Sequence, residues 1–162
     1  MMEGRREWGE GRRASFSYVP REKPHKKLLA WIKAMDLAER VHELTLTFPA
    51  DEKYGLTSQM RRCAASIPAN MSEGSARQSK RDYVRFLVIA RGSLSELDTH
   101  LDLCARLKTS DDVAKMMEVS SLITEVEKLL AGLIRHNQEE DPSGFVMESF
   151  SLLPSPFFLQ IA

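Results

Sequence analysis

The sequence predicts an all-α protein, a bundle of helices with one basic face, and three observations carry that prediction. Tyr83, Leu87, Ala90, Leu94, Leu97, Leu101 and Cys104 recur alternately four and three residues apart, the spacing of one buried stripe along one long helix. Helix punctuation stands where such a helix needs it: Ser79 with Asp82 three residues on fits a capping box, and Pro49 and Pro142 interrupt the apolar patterns before and after. Finally, 162 residues at 43% hydrophobic and 28% charged content suit one domain with a sizeable core.

Taken in order, residues 1–24 read as a flexible basic N-terminal arm, with Arg5, Arg6, Arg12, Arg13 and Arg21 among glutamates and glycines. The stretch lacks the apolar core of a signal peptide, so a cytoplasmic location is expected. Only Trp8, Phe16 and Tyr18 offer it a means of docking. A helical bundle is expected over residues 25–140. Its first helix spans about His25 to Thr47, with Leu28, Trp31, Ile32, Met35, Ala38, Val41, Leu44 and Phe48 inward, and Pro49 stops it. After a polar turn, Leu56 to Met71 has helical composition with Thr57 or Ser58 as a cap, yet Pro68 stands inside it and predicts a kink or a break. Asn70 and Glu73 are expected to satisfy backbone groups freed there, and Gly74 to end the helix.

The third helix starts at Ser79. At ~100° per residue its leucine seam lies to one side of an arc bearing Lys80, Arg81, Arg85 and Arg91, and Val84, Val88, Phe86 and Ile89 add more apolar surface than one neighbour buries. A subunit interface is the natural use of that excess. The fourth helix begins after Ser110, where Asp111 and Asp112 favour the positive end of its dipole, and Val113, Met116, Ile123, Val126, Leu130 and Leu133 form its buried face. Asp141-Pro142-Ser143-Gly144 ends it. Residues 141–162 form an apolar tail, with Phe145, Phe150, Phe157 and Phe158, that Pro154 and Pro156 break well short of the ~20 residues a membrane span needs. No membrane partner is expected; the tail docks on its own bundle, a neighbouring subunit or a partner.

Charge is unevenly spread although it sums to zero. From Lys53 to Arg91 the cations Lys53, Arg61, Arg62, Arg77, Lys80, Arg81, Arg85 and Arg91 face only Glu73 and Asp82, whereas Glu96 to Glu140 is predominantly acidic. Catalytic chemistry finds little footing. A carboxylate-bridged metal site in a bundle needs paired Glu-x-x-His elements, but Glu96 and His100 are four apart with no counterpart on another helix. Cys63 and Cys104 read as buried free thiols, and the four histidines have no ligand spacing. No phosphate-loop glycines and no serine, histidine and acid set stand out. The expectation is a protein without enzymatic activity, cofactor or metal.

The stretches Tyr54-Gly55-Leu56-Thr57-Ser58-Gln59-Met60-Arg61-Arg62, Ser66-Ile67-Pro68-Ala69-Asn70-Met71-Ser72-Glu73-Gly74 and Gly92-Ser93-Leu94-Ser95-Glu96-Leu97, in that order and spacing, resemble the four-helix-bundle family first noticed in intervening sequences of bacterial large-subunit ribosomal RNA genes. The resemblance covers about residues 25 to 138. Ser72 stands where an alanine is usual, and Lys108-Thr109 replaces a Gly-aromatic pair. What the resemblance implies is an antiparallel up-down four-helix protomer, its second helix kinked, assembling into a homopentameric barrel. Relatives that serve diversity-generating retroelements act as accessory proteins that bind RNA and the reverse transcriptase through a basic barrel surface. Carried onto this chain, the nucleic-acid-binding positions are Arg61, Arg62, Arg77, Lys80, Arg81, Arg85 and Arg91.

Two functions follow, of different classes. One is an accessory protein whose basic arc holds phosphates of structured RNA, or of DNA, by releasing counterions, with five copies adding avidity and a reverse transcriptase as a further partner. The other is a structural or protein-interaction scaffold whose arginines pair with the acidic fourth helix or with a neighbouring subunit.

Overall fold

A computed structural model describes residues 21–139, so the arm up to residue 20 and the tail at 141–162, with its Pro142 stop, lie outside the described residues. Among the described residues there are four α-helices, α1 Leu29–Thr45, α2 Leu56–Ser75, α3 Lys80–Leu107 and α4 Val113–Glu139, two short 3-10 turns, and no strand. The helices form a bundle around one apolar core running from Ala30 to Ile134, with Leu37, Leu44, Met60, Ile67, Met71, Leu87, Leu97 and Leu130 fully buried.

The α3 seam is in place: Leu87, Ala90, Leu94, Leu97, Leu101 and Cys104 are buried and Tyr83 packs against them half-buried. The start of α3 follows the capping expectation, since Ser79 Oγ accepts the Asp82 backbone N–H at 3.1 Å and donates to Asp82 Oδ2 at 2.8 Å. Its end is less usual. Lys108 takes the left-handed conformation at φ 54°, the place where the resemblance led one to expect glycine.

The α1 inward face differs from expectation. Ala30, Ala34, Leu37, Val41 and Leu44 face the core, while Ile32 and Met35 are 41% and 44% exposed. Both stripes obey helical spacing and share Val41 and Leu44; the alanines let α1 approach its neighbours closely, which the bulkier stripe would prevent. On α4 the core takes Val119 and Ile134 with Ile123, Val126 and Leu130, whereas Val113 is 63% exposed because it opens the helix beyond the end of the core. Asp112 caps α4: its Oδ1 accepts the Lys115 N–H at 3.0 Å, and the Lys115 ammonium at 2.6 Å from Oδ2 holds the carboxyl below the usual range.

No break occurs at Pro68, which is buried inside a continuous α2. The Asn70 amide donates to the Ser66 carbonyl at 2.8 Å and to Ser66 Oγ at 2.9 Å, and Ser66 Oγ meets Ser93 Oγ of α3 at 2.9 Å. Neither residue takes the role expected of it: the carbonyl that Pro68 leaves without a donor is that of Ala64 four residues back, whereas Asn70 bonds Ser66 and Glu73 pairs with Arg77. Thr57 and Ser58 do not cap α2. Glu52 Oε2 does, accepting the Leu56 N–H at 3.0 Å from the preceding turn. Nor does Gly74 end the helix, which runs on to Ser75. A Cβ there would stand 2.7 Å from Phe86 Cβ and 3.0 Å from Tyr83 Cδ2, so α3 packs against the glycine with no room for a side chain.

Candidate nucleic-acid interface

The seven cations singled out from the sequence divide into two sets. Arg61 is half-buried on α2, and its Nε donates to Thr45 Oγ1 at 2.7 Å, while that hydroxyl donates back to the Val41 and His42 carbonyls at the end of α1. Arg62 reaches across to α3, where Nη2 meets Glu96 Oε1 at 2.8 Å. Arg77 pairs with Glu73 and lies with Cζ 5.0 Å from the centroid of the Phe86 ring, a cation–π contact. These three guanidiniums are bonded within the chain.

The second set lies on the first turns of α3. Arg81 and Arg85 are exposed, one helical turn apart, and make no ion pair among the described residues. Lys80 is exposed beside them and has a polar or electrostatic contact of its own. Arg91 is half-buried because it falls next to the Leu87–Leu94 edge of the seam. Val88 and Ile89, 40% and 42% exposed, border this face. The arc is therefore narrower than its sequence suggests, with Arg81 and Arg85 as its open centre.

Three acids at the start of α4 and along it are paired elsewhere. Glu118 pairs with Arg40 at 3.1 Å and Glu125 with Lys33 at 3.1 Å, both on α1, and Asp112 pairs with its neighbour Lys115. None of these three acids is paired with a cation of the α3 face.

Sequence reasoning missed His25 altogether. It is buried, its Nδ1 is 3.0 Å from Ser75 Oγ and its Nε2 3.1 Å from Ser72 Oγ, and its ring stands edge-on to Trp31 at 5.6 Å between centroids. The Ser75 hydroxyl donates to the Ser72 carbonyl at 2.7 Å, so the neutral ring donates from Nδ1 to Ser75 and accepts at Nε2 from Ser72. Burial, with Lys23 and Lys26 nearby, pushes its pKa down. Ser72, an oddity against the family pattern, is the signal that could have exposed this contact. Burial likewise pushes the Cys63 thiol up to about 11 and raises that of Cys104, both free and protonated near neutrality.

Comparison with known proteins bears on the family and the fold. The family model of the 23S rRNA-intervening sequence protein matches residues 26–132, which hold α1, α2, α3, most of α4 and the seven cations singled out from the sequence. The chain belongs to that family. A crystal structure of a protein of unknown function from the S23 ribosomal protein family of Bacteroides thetaiotaomicron VPI-5482 is similar to this intervening sequence protein at 27% identity and a TM-score of 0.59, covering 66% of this chain and 99% of its own. No curated protein matches the chain significantly. Among the described residues of this family member, no helix is long and apolar enough to cross a membrane.

Proposed function

We propose that this intervening sequence protein is a non-enzymatic, oligomeric accessory protein that holds structured RNA on the basic face of α3. The observation that carries the proposal is the separation of charge: Arg81 and Arg85 are exposed and make no ion pair among the described residues, with Asp82 the one acid beside them on the first turn of α3, while Glu118 and Glu125 of α4 are paired with α1 and Asp112 with Lys115. Such a face neutralises phosphates and gains from the counterions they release. Arg61, Arg62 and Arg77 are held by partners within the chain, Lys80 and Arg91 lie on α3 with the two open arginines, and phosphate contacts of this kind are largely independent of sequence. RNA over DNA, and a reverse transcriptase as partner, are supported by the family resemblance alone.

An antiparallel, up-down order of helices belongs to the same proposal. Its support is the opposed run of contacts: Lys33 with Glu125 then Arg40 with Glu118 between α1 and α4, and Arg62 with Glu96 then Ser66 with Ser93 between α2 and α3. Self-association is supported by the exposed apolar side chains Val88, Ile89, Leu103, Leu107, Val113 and Met117, which a lone protomer leaves in water, and a homopentamer by the family resemblance alone. The scaffold function is favoured by one observation, the bonding of Arg61, Arg62 and Arg77 within the chain. Binding of a fluorescent structured RNA across a salt series decides between them. Log affinity should fall linearly with log salt, and replacing Arg81, Arg85 and Arg91 with glutamate should abolish binding with helicity unchanged. No binding at low salt would leave the scaffold, and unfolding of the triple variant would make these arginines structural.

A further inference from the structure

Cys63 of α2 and Glu96 and His100 of α3 stand together, although the sequence reads Cys63 as a buried free thiol and gives Glu96 and His100 no counterpart on another helix. The Cys63 Sγ, a Glu96 carboxylate oxygen and a His100 ring nitrogen all lie within 4.8 Å of one another. Cys63 is 2% exposed, and the His100 side chain is 18% exposed. Both His100 ring nitrogens are buried and neither makes a hydrogen bond, although Nε2 is only 3.7 Å from Glu96 Oε1. Buried polar atoms are almost always bonded, so an imidazole with both nitrogens unbonded, one of them within 4.8 Å of a thiol and a carboxylate, asks for a partner.

We propose that Cys63, Glu96 and His100 form a binding site for one divalent transition-metal ion of the zinc class. The donor set is the one such an ion selects: thiolate, imidazole and carboxylate, one of each. Bonds of ~2.0–2.3 Å put tetrahedral donors roughly 3.5 Å apart, a smaller closure than one rotamer change of Glu96 produces. On binding, the metal–sulfur bond replaces the S–H bond and the thiol proton leaves to solvent. Glu96, with its side chain 46% exposed, forms the open rim through which the ion enters. Arg62, bonded to Glu96 Oε1 at 2.8 Å, orients that carboxylate from outside, as outer-shell groups do. Three protein donors from two helices leave the fourth position to water. The ion would tie α2 to α3 beside the Ser66–Ser93 contact.

The test is a cobalt(II) titration of the full chain, reduced and freed of metal by a chelator. A thiolate-to-cobalt charge-transfer band saturating at one equivalent per chain, bleached by zinc, is expected. Cys63→Ser should lose the band and Cys104→Ser should keep it. His100→Gln and Glu96→Gln should each weaken cobalt affinity at least about tenfold, since even outer-shell changes commonly cost that much. Circular dichroism of the metal-free variants checks folding, and if Cys63→Ser does not fold, His100→Gln carries the test. Absence of the band in the wild type, its persistence in Cys63→Ser, or unchanged affinity in His100→Gln would overturn the site.

Discussion

Gly74 shows how much one hydrogen atom decides. It lies against Phe86, whose ring in turn carries the Arg77 guanidinium, so the glycine lets α2 and α3 close and thereby sets where that cation stands. Phe86 Cβ is nearly backbone and does not swing away. Gly74→Ala should therefore cost roughly 1–3 kcal/mol by overpacking, read as a lower urea midpoint at unchanged slope; full stability would mean that the helices yield here without strain. From the sequence the same glycine, following a glutamate near the end of a helical stretch, passes for a terminator. Spacing reveals that a residue lacks a side chain but not what stands opposite, and the same blindness applies to Arg61, Arg62 and Arg77, whose charge was legible while their intrachain partners were not.

At the scale of the element, the α3 seam and its Ser79 cap were legible because both depend only on residues within one helix. The inward face of α1 was not, because two apolar stripes compete there and the choice between Ala30–Ala34 and Ile32–Met35 is made by the closeness of neighbouring helices. His25 belongs to this scale too, since it ties the turn before α1 to the end of α2 through Ser72 and Ser75. Its folded pKa lies below the ordinary value of about 6.5. The unfolded chain then binds the proton first as pH falls, so the stability His25 contributes is present above about 6.5 and is lost as pH drops toward the folded pKa. Thermal denaturation should show a melting temperature that declines on acidification through this window, and His25→Gln should flatten the slope there. An equal slope in the variant would remove His25 as the cause.

Across the whole molecule, core, charge and exposed apolar surface are laid out as an assembly would need them. Glu118 and Glu125 of α4 are paired with α1, the open cations stand on α3, and Leu103, Leu107, Val113 and Met117 crowd the turn between α3 and α4, with Leu107 64% and Met117 68% exposed. A groove lined by Leu101, Ala105, Val113, Met116 and Met117 runs through that region. Burying such side chains against a neighbour gains about 25 cal/mol for each Å² removed from water, with no desolvation of the arginines. The pentamer that the family resemblance implies would set five copies of the Arg81–Arg85 face on one particle, and RNA affinity would then depend on assembly as well as on charge. Light scattering should return five times the 18.4 kDa chain mass. Replacing Leu107 and Met117 with aspartate should yield a smaller, still helical species that binds RNA more weakly while keeping a salt dependence. If that variant stays pentameric, the α3–α4 turn is not the interface and the stripe of Val88 and Ile89 becomes the surface to change next; if the wild type is monomeric, avidity has no part in binding, and Arg81 and Arg85 must hold the RNA with the contacts of a single chain.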